Sequence, residues 1–539
     1  MTARLIDLVP ATLRRAWAAD GTCPDLDLYA LFRAHRLAAP DRVAVIDDAG
    51  ALTYGELDLL ARAAAAGLRN LGVCESDVVG VQVPNGRDAV VADLALAALG
   101  AVALPFPVGR GVAEAVSLLS RSGARAVIAA VEHRGSEHAR DLVSAAQELP
   151  ALRVVIAAGP QEPPAGSVPW ADVLSAEAHA FVPARPDPDG AARILVSSGS
   201  EAEPKMVAYS HNALAGGRGN FMATLLPEGN PPRCLFLVPL ASAFGSNGTS
   251  VTLARHGGSL VLLDHFSPEA ALAAIREHRP SHVLAVPTMI RMMLDQIGTG
   301  PMPSMTALVL GGAELDAATA AEARYVFDCP VVNLYGSADG VNCHGGLAQA
   351  PASDHGPGVV VGPPDPRVAE IRISQTAGEE YGEIMARGPM TPMCYVGAPE
   401  LNQRYRTAEG WVRTGDLGLI DDTGRLRLVG RLKQVVIRGG ANISLAEVER
   451  ALAAHSGVRD AVCLGVPDPV MGERLAACVV ARSERPIDLA ILCDHLLRRG
   501  LERAKHPEHL LVVEEIPLTP AGKPDRDALR ARIAPPPSG

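Results

Sequence analysis

The sequence predicts an α/β protein with a large N-terminal domain of layered sheets and helices and a small C-terminal α+β domain. Short Val/Ile-rich runs alternate with Ala/Leu-rich helical stretches, as parallel strands joined by helical crossovers do. A Pro-, Gly- and Asp-rich stretch between about 150 and 190 reads as a surface connection between two sheet-forming halves. After Gly430 the pattern changes to a unit of roughly 110 residues, enough for a small independent domain. The expected division is therefore 1–429 and 430–539.

In chain order, LTYGELDLLARAAAAGLRNLG predicts a helix, DVVGVQVP a strand, RDAVVADLALAALG a helix, and AVALPFP and ARAVIAA two more strands. The same rhythm resumes with RILVSS, RCLFLVP, GSLVLL, HVLAVP, ALVLGG and VVNLYG, each ending in a small or polar turn. Ligands of open parallel sheets sit beyond the carboxyl ends of strands, so those endings are where chemistry is expected. The small domain reads as strand LKQVVIRGG, helix SLAEVERALAAH, strands DAVCLGVP and RLAACVVA, helix LAILCDHLLRRGL and strand HLLVVEEIP. The terminal APPPSG reads as a frayed tail with no carrier domain beyond it.

Composition excludes several classes. With 49 Lys+Arg against 60 Asp+Glu the chain carries a formal charge of −11, opposite to the concentration of cations that a nucleic-acid binder needs. The longest uncharged apolar stretch, Leu94 to Pro107, spans 14 residues, short of the roughly 18 that cross a membrane. The first residues carry Asp7 and Pro10 where a secretory signal needs an apolar core, so cytoplasm is the default expectation. Nine cysteines stand singly with no Cys-x-x-Cys pair, as reduced core thiols do, and Cys343 beside His344 lacks a second ligand pair for zinc.

The segment ILVSSGSEAEPK offers hydroxyl donors at Ser197, Ser198 and Ser200, a permissive Gly199, and a cation at Lys205, the ingredients of a phosphate-cradling loop. It is not a Walker loop, and taken alone an ordinary surface turn reads equally well. Further on stand NLYGSAD (Asn333 to Asp339), RTGDLG (Arg413 to Gly418), GRLKQVVIRGGANISLAEVE (Gly430 to Glu449) and PLTPAGKPDR (Pro517 to Arg526). With LTYGELD, GGAEL and GVPDPVMGERLAA, this ordered set resembles the adenylate-forming superfamily of acyl- and aryl-CoA synthetases, peptide-synthetase adenylation domains and luciferases. The resemblance covers nearly the whole chain.

The resemblance implies ATP and Mg2+ as cofactors and a mobile small domain hinged near Lys433. The loop from Ser197 to Lys205 would hold the outer phosphates, and Tyr335 would pack on adenine within a nucleotide site that includes Gly312, Asn333, Gly336 and Ser337. Asp339 stands where the family has a Glu that binds magnesium, Asp416 would accept from the ribose hydroxyls, and Arg431 would contact the nucleotide. Ala241, Ser242, Ala243, Phe244, Gly245 and Gly311 would line the acid pocket. Lys523 would reach from the small domain to stabilise charge in adenylation, after which a domain swing would present Gly439 and Gly440 to a thiol-bearing arm. Blander roles exist for each: a tail lysine for Lys523, a turn cap for Asp416, a core aromatic for Tyr335, a solvated charge for Lys433. His211, after Ser210, reads as a helix-start residue with no further role.

Four positions depart from the family pattern. The loop reads Glu201-Ala202-Glu203-Pro204-Lys205-Met206, without two usual glycines and with two acids beside a polyphosphate site. The aromatic–His pair of the acid pocket is replaced by Ala241-Ser242, the Asn-Ile-x-Pro of the thiol tunnel ends in Leu445, and Cys394 replaces the glycine before a later Tyr. The leading expectation is an AMP-forming ligase of secondary metabolism that adenylates a small aryl or short acyl carboxylic acid and passes it to CoA or a carrier-protein thiol. A nitrite-activating diazotase acting on an aromatic amine is the alternative, and a nucleotide-binding protein without catalysis the third. No nucleic-acid or membrane partner is expected.

Overall fold

A computed structural model describes residues 5–197, 204–227, 230–297, 302–313, 315, 317–347, 358–375, 380–432, 435–438, 441–468, 472–482, 487–499, 501, 503–518 and 524–533. They fall into two compact units. The larger comprises the described residues of Met1–Ala350, Gly362–Ile371 and Ala386–Thr414, and the smaller those of Pro351–Val361, Arg372–Met385 and Gly415–Gly539.

Among the described residues, the larger unit holds two eight-stranded sheets. One runs Val341–His344, Val331–Ser337, Ala307–Gly311, His282–Ala285, Arg233–Phe236, Ser259–Leu262, Val43–Asp47, Gly50–Thr53. The other runs Cys394–Tyr395, Met206–Ser210, Ala191–Val196, Val102–Pro105, Val78–Gln82, Ala126–Ala130, Val154–Ala158, Val168–Pro169. Their central strands are parallel and buried, which is why they read as unbroken apolar runs. Between Ala89 and Leu99 the helix Arg87–Leu99 buries ten of its residues, the all-round apolarity expected of a core helix. Thr53 and Glu56 close a capping box that starts the helix Tyr54–Asn70, so the predicted LTYGELD boundary has a local cause. No described helix is long and apolar enough to cross a membrane.

Two expectations change. The stretch 150–190 is not merely a connection: Val154–Ala158 pairs in parallel with Ala126–Ala130, and Trp170–Leu174 is a short helix with Trp170 and Val173 buried. The flanking prolines and glycines masked an apolar VVIAA run that satisfies a sheet edge. Nor are the sheets wholly parallel. Met206–Ser210 returns antiparallel to Ala191–Val196, because residues 197–205 are too few for a helical crossover, which takes a dozen or more. The candidate phosphate loop is thus the connection of a hairpin.

In the smaller unit, Val458–Asp468 and Gly472–Ala481 form a long antiparallel pair, with His509–Val513 added in parallel. Side chains alternate across it. Cys463, Leu475, Ala477 and Val479 face the helices Leu445–Ala453 and Leu489–Arg498, whereas Val462, Leu464, Ala476 and Val480 pack with Val513 and Leu529. The strand Ala441–Ser444 and the helix Arg526–Ile533 had no sequence expectation, and neither had the five-stranded sheet Val359–Gly362, Leu426–Arg431, Val412–Ile420, Gly382–Arg387, Glu370–Ser374.

Three imidazoles are built into the larger unit as neutral acceptors or donors. His211 opens a helical turn, as expected, and its Nδ1 accepts from the Leu28 amide at 3.2 Å. His256 Nε2 lies 2.9 Å from the Gly219 carbonyl, and His344 Nδ1 accepts from the Gly346 amide at 2.9 Å. Burial pushes each pKa down to about 4. The folded state therefore binds fewer protons than the unfolded chain between about pH 4 and 6.5, so stability is intact above that window and is lost as pH falls through it, on the order of 3 kcal/mol per histidine. Chemical denaturation at pH 7.5, 6.5, 5.5 and 4.5 should show a monotonic fall; a flat profile would mean that the three rings protonate in place.

Candidate active site

The hairpin carries the first part of the site. Where its strands diverge, the Ser197 amide donates to the Lys205 carbonyl at 2.9 Å and the Lys205 amide to Ser197 Oγ at 3.2 Å. Arg110 and Arg121 donate to the carbonyls of Ser197 and Pro204 at 3.3 and 2.9 Å, fixing both rims. Ser198, Gly199, Ser200, Glu201 and Glu203 lie outside the described residues.

The side chain of Lys205 lies over Tyr405, 4.3 Å from the ring centroid, with Tyr395 at 5.5 Å. Its Nζ stands 3.4 Å from Asp339 Oδ1. That carboxylate is buried, yet it has partners on both oxygens: Tyr395 donates to Oδ1 at 2.7 Å and Ser337 to Oδ2 at 2.8 Å. Burial, reinforced by the adjacent carboxylate, raises the Tyr395 phenol well above its usual pKa, so Tyr395 is the proton donor of the pair. Tyr395 arrives because Cys394–Tyr395 pairs with Ala208 and Val207 at the sheet edge, and the neighbouring Tyr209 hydroxyl donates to the Ala338 carbonyl at 2.8 Å. The cluster draws one residue from the hairpin, two from NLYGSAD and two from the stretch 394–405. Sequence reasoning marked Lys205, Ser337 and Asp339 but missed Tyr395 and Tyr405, whose signal lies only in spatial convergence.

Tyr335 is buried in the strand Val331–Ser337, opposite Cys343 on the antiparallel neighbour, with Asn333 two positions earlier. A Cβ at Gly336 would meet Asn342 Oδ1 at 2.6 Å, so any side chain there would oblige Asn342 to shift. Gly311 ends the adjacent strand and Gly312 turns away with φ +84°.

The acid-pocket segment follows the strand Arg233–Phe236 and folds on itself. Ser242 Oγ donates to the Pro239 carbonyl at 2.7 Å and accepts from the Gly245 amide at 2.9 Å, so its polarity is spent on the turn. Ala241 is buried, whereas Ala243 and Phe244 are partly exposed. The Ser246 hydroxyl donates to the Ala243 carbonyl at 2.7 Å.

In the smaller unit, Asp416 and Arg431 face each other across paired strands, Nε to Oδ1 at 2.9 Å, with Asp416 only 5% exposed. Lys433, Gly439, Gly440 and Lys523 lie outside the described residues. The chain flanking Lys523 is nevertheless anchored: Leu518 bridges Pro524, and Arg526 binds Glu449 at 2.6 Å and the Cys463 carbonyl at 2.9 Å. Glu449 also accepts from the Cys463 amide at 2.7 Å, which ties the Glu of SLAEVE to the Arg of GKPDR.

In the larger unit a strand-end hairpin carrying Ser197 and Lys205 stands beside the buried Asp339 carboxylate, and in the smaller unit Asp416 pairs with Arg431. Residues 32–396 match the AMP-binding enzyme family and residues 447–523 the AMP-binding enzyme C-terminal domain. The chain is 33% identical over 504 residues to triostin synthetase I of Streptomyces triostinicus, covering 91% of each. It is 32% identical over 514 residues to the salicyl-AMP ligase / salicyl-S-ArCP synthetase of Mycobacterium tuberculosis, covering 91% of this chain and 88% of that one. Its fold is similar to that of the apo structure of Mycobacterium smegmatis MbtA, with TM-score 0.71, 31% identity and coverage of 97% and 98%. The chain belongs to the AMP-binding enzyme family and is an ATP-dependent, adenylate-forming ligase.

Two substitutions test the packing of this site. A Cβ at Gly245 would stand 1.9 Å from the Pro239 carbonyl oxygen, so Gly245→Ala should cost more than about 3 kcal/mol in urea denaturation. Tyr395→Phe removes a donor from a buried carboxylate and should destabilise by roughly 1–3 kcal/mol; an unchanged midpoint would show that the phenol does not hold Asp339.

Proposed function

We propose that the chain adenylates a small carboxylic acid, aryl or short acyl, and passes the acyl group to the thiol of CoA or of a carrier protein. The observation that carries this reading is the pairing of the half-buried Lys205 with the buried Asp339 at the base of the hairpin. A cation and an anion held together in one recess suit a polyphosphate and its metal ion, each meeting the partner of opposite sign. The relatives point the same way, one being named for salicyl-AMP formation and transfer to a carrier protein.

Asp339, with Tyr395 and Ser337 donating to it, offers carboxylate oxygens of the kind Mg2+ takes as ligands. When bound, magnesium supplies charge neutralisation on the phosphates. Ser197 and Lys205, with the loop between them, take the outer phosphates; Tyr335, with Asn333, Gly336, Ser337 and Gly312, takes the adenine side; Asp416 takes the ribose and Arg431 the nucleotide near it. The substrate carboxylate oxygen forms a bond to the α-phosphorus as the bond to pyrophosphate breaks. Lys523, on the small domain beginning near residue 430 and hinged near Lys433, stabilises the charge that develops. In the second step the thiol sulfur attacks the acyl carbon and AMP leaves, with Gly439 and Gly440 giving the thiol arm room.

The decisive assay is AMP and pyrophosphate release from ATP against aryl and short acyl carboxylates, each with and without CoA. Carboxylate-dependent release completed by a thioester is expected. Release driven instead by nitrite plus an arylamine, without CoA, would replace this reading with diazotisation. Lys523→Ala should slow the adenylation step roughly 10²–10³-fold with ATP binding nearly intact, by comparison with loss of one transition-state donor. An unchanged rate in stopped-flow pyrophosphate release would remove Lys523 from the mechanism.

A further inference from the structure

Between the strand Arg233–Phe236 and the acid-pocket segment 241–247 the chain runs through Val238, Pro239 and Leu240. Their peptide groups are bound one after another. Asn85 Nδ2 donates to the Val238 carbonyl at 3.1 Å, and Asn85 Oδ1 accepts from the Leu240 amide at 2.7 Å. Arg193 Nη2 donates to the Leu240 carbonyl at 2.8 Å. The Pro239 carbonyl accepts from the Ser242 hydroxyl at 2.7 Å and the Ser242 amide at 2.9 Å, which begins the pocket turn itself.

Asn85 and Arg193 both belong to the other sheet. Asn85 follows the strand Val78–Gln82 and Arg193 lies within Ala191–Val196, whereas Val238 to Leu240 continue from a strand of the first sheet. The contacts therefore fix the pocket-bearing chain of one sheet against its neighbour. Asn85 spans the Val238 carbonyl and the Leu240 amide with one planar group, so the peptide at Pro239 cannot turn without breaking a bond. Arg193 is fixed in its turn: it is buried, and its Nη1 donates to Asp93 Oδ2 at 2.5 Å, on the helix Arg87–Leu99. A guanidinium with a carboxylate on one nitrogen and a carbonyl on another is held in a single orientation, which a compact ammonium on a flexible stem is not.

A shift of about 1 Å in an element that positions substrate costs on the order of 10²-fold in rate. The segment 241–247 is where the adenylation reading puts the acid, whereas the nucleotide groups of that reading stand on other stretches. We propose that Asn85 and Arg193 are positioning residues for the acid, acting through the backbone of Val238 to Leu240 and not by contact with substrate. This rests on the adenylation reading of the same site. Arg193 lies in the strand that leads to Ser197, but Asn85 shares no element with the hairpin, so the two together separate an effect on the pocket from one on the phosphate loop.

The test measures AMP release with benzoate, salicylate, butyrate and hexanoate for wild type, Asn85→Ala, Arg193→Lys and the double variant. Arg193→Lys keeps a charge for Asp93 and loses the fork. For each acid that the wild type activates, either substitution should lower kcat/KM for the acid roughly 10–100-fold while KM for ATP stays within about threefold. The double variant should lose less than the product of the two effects, because both act on Leu240; a full product would mean that they do not share one route. A role confined to stability would lower the urea midpoint and leave the acid constants of the folded enzyme unchanged. That result would overturn the proposal, as would an equal loss toward acid and ATP. Hydrogen exchange reads the same contacts without catalysis: peptides covering 238–247 should exchange faster in Asn85→Ala, and those covering 206–210 should not. Should none of these acids drive AMP release, or only nitrite with an arylamine, the adenylation reading fails and exchange decides the tether by itself. Faster exchange confined to 238–247 would then sustain it, and unchanged exchange would overturn it. If Arg193→Lys does not fold, Asn85→Ala decides by the same criteria.

Discussion

A carboxylate buried in the protein is the constraint on which the larger unit's candidate site depends. Asp339 is withdrawn from water, where a lone charge is expensive, so each oxygen needs a donor or a cation. The fold meets that need with groups from three distant stretches: Lys205 from the hairpin, Ser337 from the same turn and Tyr395 from a short edge strand. The pairing of Cys394–Tyr395 with Ala208 and Val207 places the phenol, and the Tyr209 hydroxyl holds the Ala338 carbonyl beside it. The short aspartate side chain is thereby braced from several sides.

The same economy governs the substrate side. Ser242 reads as a polar addition to the pocket, but its hydroxyl closes the turn that carries it. Gly245 is there because the Pro239 carbonyl leaves no room for a side chain. The cation beside this segment is Arg218, on a different helical stretch, which donates to the Ala243 carbonyl and the Ser246 hydroxyl.

In the smaller unit the Glu449–Arg526 pair has the corresponding role. It couples the helix Leu445–Ala453, the strand carrying Cys463 and the start of the last helix, so that the chain leaving the Lys523 segment is held against the sheet. Two motifs separated by some 70 residues of sequence are parts of one structural clamp.

Much of this was legible in the residues themselves. Apolar runs of strand length alternating with helical stretches determined the α/β class, because periodicity is a local property, whereas the ATP-handling chemistry was read from the resemblance that the ordered motifs carry to the adenylate-forming superfamily. The strand Val154–Ala158 was hidden because prolines and glycines crowd its flanks, and the antiparallel return of Met206–Ser210 because apolar runs do not carry direction. What only the tertiary structure decided is convergence: Tyr395 on Asp339, Lys205 over Tyr405, Arg526 on Glu449, and Arg218 on the Ala243 carbonyl and Ser246 hydroxyl. Burial and pairing of charge depend on which segments meet in space, and a one-dimensional pattern holds no record of that.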